Sequence, residues 1–254
     1  MNKGFVIKST GSWYHVQTDN KIVKCRIRGK FRTKGIRSTN PVAVGDRVGF
    51  KYLRDEGKGL IISLEERKNI LVRKSTNLSR QSHIIAANID CAFLLVTLIK
   101  PITYPLFIDR YLVACESRNI EAALLFNKTD LYDDKLNKQL SEYTGIYEKA
   151  SYKCLPISVK EEKNLELIEQ MIEGKTIVIS GNSGVGKSSL LNKLEPGLNL
   201  KTNEISDYHK QGKHTTTFAE MHKIRSGYII DTPGIKGFGL DGVDMHILSD
   251  FYPE

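Results

Sequence analysis

Through the first 70 residues, apolar and polar positions take turns. The alternation runs through GFVIKS (4–9), WYHVQT (13–18), KIVKCRI (21–27), DRVGFKYL (46–53) and GLIISLEE (59–66), with turn residues between them in TDNK and DEGKG. A period of two marks strands with one buried face, and Gly, Asn and Asp at those breaks suit hairpins. Five short strands without a helical period predict a small antiparallel barrel. The basic, turn-rich stretch between the third and fourth strands, RGKFRTKGIRSTNPVAVGD (28–46), reads as an exposed loop.

From about Asn69 the pattern changes. NIDCAFLLVTL (88–98) is a near-continuous apolar run, as in strands buried on both faces of a parallel sheet. YPLFIDRYLVACESR (104–118) has helical spacing, with Phe107, Tyr111 and Ala114 on one face. Next come a strand in NIEAALLFNKTD, a helix over 131–149, strand YKCLPIS, helix NLELIEQMIEG, strand KTIVISG, a helix from Lys187, and strand YIIDTPG. Strands alternating with helices predict a doubly wound α/β domain, whose ligands bind beyond the carboxyl ends of the strands. The polar, basic VRKSTNLSRQSH (72–83) is the expected linker.

Composition sets the compartment. Of 254 residues, 40% are hydrophobic and 26% charged, the balance of a soluble globular protein with a substantial core. The longest apolar run, AFLLVTLI (92–99), is strand-sized, far short of the ~20 residues that cross a bilayer. The basic N-terminus has no apolar stretch or cleavage site after it, so no signal peptide is expected. Cys25, Cys91, Cys115 and Cys154 are scattered without a C-x-x-C pair. That predicts free thiols, no zinc site in this chain and a reducing, cytoplasmic location.

Charge adds a partner. Residues 1–75 hold 18 Lys and Arg against 6 Asp and Glu, a net +12; the remainder holds 20 against 23, a net −3. A positive field confined to one segment favours a polyanion, nucleic acid foremost, over a merely solvated surface.

GNSGVGKSSL (181–190) fits the phosphate-loop pattern G-x-x-x-x-G-K-[ST] in full, between an apolar strand and a helix. A chance match in a chain this long is on the order of one in a hundred. Glycines let successive N–H groups face phosphate oxygens. The expected contacts are Gly181, Asn182, Ser183, Gly184, Val185, Gly186, Lys187, Ser188 and Ser189. Lys187 would span the β- and γ-phosphates, and Ser188 would meet Mg²⁺.

FNKTD (126–130) ends a strand. The Asp130 carboxylate can accept from guanine N1–H and the 2-amino group, a donor pair adenine lacks. The Lys128 stem can lie along the base, and Asn127 can brace the loop and reach N7. The plainer alternative is a polar turn with Asp130 as a helix N-cap. Asp231 and Gly234 of DTPG fit the D-x-x-G of nucleotide switches, with Asp231 at Mg²⁺ and the Gly234 N–H at the γ-phosphate; a simple turn is the alternative. A threonine of GKHTTT (212–217), taken as Thr217, would complete the Mg²⁺ shell. Ser158 and Val159 of ISVK could offer N–H groups to guanine O6, or simply form a strand exit. Ile235 stands where signalling GTPases place a water-orienting Gln. The base reader also precedes the phosphate loop, the reverse of the ordinary order.

In the order NKTD, GNSGVGKSS, GKHTTT, DTPG, with a basic barrel ahead and QSHIIAANID between, the chain resembles the circularly permuted GTPases. It is most similar to the small-ribosomal-subunit-dependent GTPase A family of bacterial ribosome-assembly factors, over essentially its whole length. The resemblance implies an OB-fold at 1–70, a linker at 71–84, and a circularly permuted α/β P-loop GTPase domain at 85–240. Residues 241–254 would start a C-terminal segment. It implies GTP hydrolysis with Mg²⁺, stimulated by the small ribosomal subunit, during late maturation of that subunit, with rRNA held by the barrel. It implies that His214 assists catalysis in place of the missing Gln, beside Lys187 and Gly234. The family's zinc-binding segment, with clustered Cys and His, would begin about where this chain stops at SDFYPE. Zn²⁺ is therefore expected for the family, but its ligands are absent from this sequence.

Two other functions compete. One is an RNA-binding module whose nucleotide site is purely regulatory or vestigial; intact Lys187, Ser188 and Asp231 oppose a vestigial site. An ATP-dependent enzyme is opposed by Asp130. The expected partners are GTP or GDP and the small subunit with its rRNA, engaged by a monomer away from membranes. Trp13 and Tyr14 are the aromatics that could reach unpaired bases, though core packing is favoured for Trp13.

Overall fold

The N-terminal alternation resolves into β1 (Asn2–Ser9), β2 (Tyr14–Gln17), β3 (Ile22–Ile27), β4 (Arg47–Leu53) and β5 (Lys58–Leu64). The structure, a computed structural model, describes residues 1–27, 41–53, 57–74, 82–202, 219–225 and 227–232. Inward positions of the five strands, among them Val6, Tyr14, Val16, Val23, Cys25, Val48, Phe50 and Ile61, build one apolar core. The strands close in the order β1-β2-β3-β5-β4, with β4 returning to β1. One seam departs from the expected antiparallel pattern: β3 and β5 run parallel. Parity requires it, because a ring of five strands cannot alternate direction all the way round.

Two further expectations are corrected here. The 28–46 stretch is not exposed throughout, for Val42 enters the barrel core and Val44 the core of the α/β layer. Residues 28–40 lie outside the described residues. Trp13 is not a core residue: Tyr14 and Val16 take the inward positions of β2. The Trp13 ring lies outside, with Lys24, Arg26 and Lys58 at 4.7, 4.0 and 5.5 Å from its centroid.

Behind the barrel, β6 (Ile70–Lys74) and β7 (Ser82–Ala87) pair as an antiparallel hairpin, so the expected linker supplies most of the first arm and the start of the second. A buried ion pair locks this corner. Arg67 donates through Nε and Nη2 to the two Asp46 carboxylate oxygens, both at 2.7 Å, and through Nη2 to the Pro41 carbonyl.

The α/β layer follows as β8 (Cys91–Val96), α1 (Pro105–Glu116), β9 (Glu121–Phe126), α2 (Asp134–Lys149), β10 (Lys153–Pro156), α3 (Leu165–Ile172), β11 (Thr176–Gly181), α4 (Lys187–Leu194), β12 (Glu220–Ile224) and β13 (Gly227–Asp231). Strands β10-β9-β8-β11-β13 are parallel neighbours in that order. One face of the sheet packs against α1 and α2 through Ile108, Tyr111 and Tyr147, the other against α3 and α4 through Ile168, Leu190 and Leu191. This is the doubly wound arrangement. Helix α2 starts later than expected, because a 3₁₀ turn at Thr129–Leu131 intervenes and Asp133 caps the helix by accepting from the Leu136 N–H at 2.8 Å.

Strand β12 lacks a counterpart in the sequence reading. It runs antiparallel to β13 and pairs with β1 at Lys8↔Glu220, merging barrel and α/β layer into one sheet of eleven strands. The junction is supported by an edge-on contact of Phe5 with Tyr228, centroids 5.3 Å apart. All four cysteines are free thiols, three of them buried, and burial pushes Cys25 and Cys91 up to about 11.

Candidate nucleotide site

The order β9-β8-β11 contains the switch point of the sheet: the chain winds outward from β8 to β9, then returns to the other side of β8 as β11. Crevices at such points receive ligands. The loops after β8, β9, β10 and β11 meet there, as does the last residue of β13.

The phosphate loop bends from β11 into α4 on glycines that nothing else could replace. Gly181 and Gly186 have φ of +148° and +104°. A Cβ on Gly186 would lie 2.5 Å from Asn127 Nδ2, and one on Gly181 would lie 2.7 Å from the Leu95 carbonyl oxygen. The loop is thus shaped by left-handed backbone and by close approach of the base-reading side. Lys187 is buried at the start of α4, its Nζ donating to the Gly181 and Asn182 carbonyls at 2.8 and 3.0 Å. Burial lowers this ammonium to about 8, and Asp231 opposes the effect. A cation held dry on its own loop is one that a phosphate can claim without further desolvation.

Asn127, at the exit of β9, is buried and ties three segments together. Its Nδ2 donates to the Val185 carbonyl at 2.7 Å, and its Oδ1 accepts the Val159 N–H at 3.1 Å. Lys128, in left-handed backbone, donates to the Gly184 carbonyl at 3.0 Å and to the Lys100 carbonyl. Burial lowers its ammonium as well, opposed by Asp130. Asp130 Oδ1 accepts from the Ser158 hydroxyl at 2.7 Å, which fixes the turn of its carboxylate. Because Asp133 holds the cap of α2, Asp130 is free of that duty.

The Val159 N–H, expected toward guanine O6, donates in this structure to Asn127 Oδ1. The structure also adds a residue that the sequence did not single out. The Tyr132 hydroxyl accepts the Leu98 N–H at 3.0 Å and donates to the Asn127 carbonyl at 2.9 Å, joining the β8 exit to the NKTD turn. No sequence pattern marks a tyrosine for that task.

Asp231 ends β13, buried, directly across the parallel pairing from Ile179 of the strand that feeds the phosphate loop. Ser188 lies one residue beyond Lys187 in the first turn of α4. Among the described residues no three His, Cys, Asp or Glu side chains converge into a metal cage. Asp231 and Ser188 offer one carboxylate and one hydroxyl, donors that Mg²⁺ takes beside water and phosphate oxygens. His214, Thr217 and Gly234 lie outside the described residues, as does Ile235.

The RsgA N-terminal domain family matches residues 3–61, and the RsgA GTPase family matches residues 64–241. The chain belongs to the RsgA GTPase family. It is 51% identical to the small ribosomal subunit biogenesis GTPase RsgA of Christiangramia forsetii, across 99% of this chain and 81% of that protein. The Bacteroides fragilis (strain YCH46) protein of that name is 50% identical, across 99% and 82%. Among solved structures, YjeQ from Thermotoga maritima matches with a TM-score of 0.68 at 32% identity, over 92% of this chain and 74% of that one. YloQ, a circularly permuted GTPase, matches with a TM-score of 0.68 at 26% identity, over 100% and 78%. The fold is therefore a circularly permuted P-loop GTPase domain behind a five-stranded barrel, and the enzyme is a GTP hydrolase of a family that works with Mg²⁺. No helix among the described residues is long and apolar enough to cross a membrane.

Proposed function

We propose that this GTPase serves the biogenesis of the small ribosomal subunit, hydrolysing GTP when docked on that subunit in the cytoplasm. The observation that carries the nucleotide half is the Asn127 brace, which joins the base reader to the phosphate loop although the chain runs through them in reverse order. In this reading Asp130, oriented by Ser158, accepts from guanine N1–H and the 2-amino group. Lys128 lies along the base. The N–H groups from Gly181 to Ser189 cradle the phosphates, and Lys187 exchanges two loop carbonyls for phosphate oxygens. Ser188, Asp231 and Thr217 would hold Mg²⁺, which would neutralise charge on the transferred phosphoryl group. With Ile235 in the usual Gln position, His214 orients the attacking water and the Gly234 N–H meets the γ-phosphate. These last roles, and that of Thr217, rest on the sequence pattern.

The RNA half rests on the barrel. Residues 1–75 carry a net +12 where the remainder is net negative, and the Trp13 indole lies half-buried among three cations. Arg26 lies over the indole, 4.0 Å from the ring centroid, so in this reading an unpaired base stacks there by displacing the guanidinium onto its phosphate. Tyr14, buried in the core, does not share that task.

Phosphate release over many turnovers, with and without purified small subunits, tests the proposal. A rate rising strongly with subunits is expected; the same low rate in both would leave only a nucleotide-regulated RNA-binding module. In competition against labelled GDP, ATP displacing as well as GTP would overturn the role of Asp130.

A further inference from the structure

A row of four charges crosses the sheet from the barrel to the phosphate loop. The Lys8 ammonium of β1 meets the Glu220 carboxylate of β12 at 2.7 Å, at the position where the two strands pair. Glu220 stands directly opposite Asp231 in the antiparallel β12–β13 ladder. Residues so opposed project on the same face with Cβ atoms about 5 Å apart, and like charges there repel. Asp231 in turn acts on the Lys187 ammonium. The order of signs is plus, minus, minus, plus.

The local charge count is simple. His15 lies opposite Lys8 on β2, and His222 is two residues along β12 from Glu220. Burial, aided by Lys8, holds both imidazoles below their usual range, so neither adds charge at pH 7. Lys8 and Glu220 are each about one third exposed, 33% and 35%, so the pair contributes little to stability. Its place in the row gives it another use.

We propose that the barrel tunes the divalent-cation affinity of the nucleotide site through Lys8, which cancels a carboxylate that would otherwise add to the field of Asp231. The inference rests on the reading of Asp231 as a Mg²⁺ ligand. Moving the barrel off β12 unmasks Glu220 and makes the potential at Asp231 more negative, so a partner that grips the barrel alters how tightly the metal is held.

The test is a magnesium chloride titration of the full chain with a fluorescent GDP analogue, read as apparent Mg²⁺ affinity, with thermal midpoints measured alongside. Lys8→Met leaves Glu220 uncompensated and tightens that affinity about threefold, the scale for a partly exposed charge screened by salt. Glu220→Gln leaves Lys8 uncompensated and weakens it about threefold on the same grounds. The double variant Lys8→Met/Glu220→Gln returns to the native value. If the pair merely supported the sheet, both single variants would shift the same way and the double further. That result, or no shift in either single variant, overturns the proposal. Asp231→Asn separates the premise from the inference: an unchanged metal dependence there removes the Asp231 reading, and the proposal with it. Should Lys8→Met fail to fold, Lys8→Gln makes the same charge change.

Discussion

Asn127 and Val185, 58 residues apart in the chain, are joined by a hydrogen bond of 2.7 Å from side-chain amide to loop carbonyl. The base-reading turn and the phosphate loop therefore take their positions from each other. Asn127→Ala strips partners from the buried Val185 carbonyl and Val159 N–H, at about 1–3 kcal/mol for each unsatisfied group. GDP affinity measured by calorimetry is expected to fall at least about tenfold, with a lower thermal midpoint. Native affinity in the variant would mean that the brace does not shape the loop.

Ser158 acts one step from the base. Losing its hydrogen bond to the Asp130 carboxylate frees that group to rotate, and bonds to charged groups contribute about 1.5–3 kcal/mol. Ser158→Ala is expected to weaken GTP binding roughly tenfold and to narrow the preference for GTP over ATP. Competition binding reads both; an unchanged preference would show that Asp130 is oriented by something else.

Lys187 gives a pH signature. Its ammonium titrates near 8 in the folded chain against an ordinary 10.5. Between those values the unfolded chain holds a proton that the folded chain has released, so stability rises with pH across the window, and the cost of the buried charge is felt in full below it. Without nucleotide, Lys187→Met is expected to melt above the native chain at pH 7, the gap narrowing toward pH 10, while GTP hydrolysis falls to background. A constant gap in scanning fluorimetry would mean that the amine is solvated.

On the barrel, stacking and charge can be told apart. Trp13→Ala is expected to weaken single-stranded RNA binding by about 1–3 kcal/mol while leaving its salt dependence intact. Arg26→Ala should flatten the salt slope by about one. Filter binding across a salt series distinguishes the two, and a Trp13 variant that binds like the native chain would remove the stacking role.

What was legible in the sequence follows from how locally each feature is specified. The phosphate loop could be read because Gly181 and Gly186 sit at fixed offsets that left-handed backbone and close approach demand. The barrel strands could be read because alternation is itself the signature of a half-buried strand. The position of Trp13 was open to the same reasoning: once Tyr14 and Val16 face inward, their neighbour faces out. Its size suggested core, and parity decided otherwise. Strand β12 could not be read, since EMHKI has three polar residues in five and is a strand only because β13 and β1 flank it. The engagement of the Val159 N–H and the Tyr132 bridge depend on side chains meeting across loops, which no local pattern records.

The strand order also sets a timetable for synthesis. Every strand of the barrel has been made by Leu64, and the ring closes from pairings within that segment, β1 taking β12 as a further partner only later. The nucleotide half has no such independence. Strand β8 is flanked by β9, which follows it closely, and by β11, which emerges only at Thr176–Gly181, while Asp231 comes later still. On the translating ribosome the barrel can close early, while the base-reading strands wait with one edge uncovered. GTP can hasten only the last stage of folding, because none of its site exists as a pocket until the phosphate loop has been made.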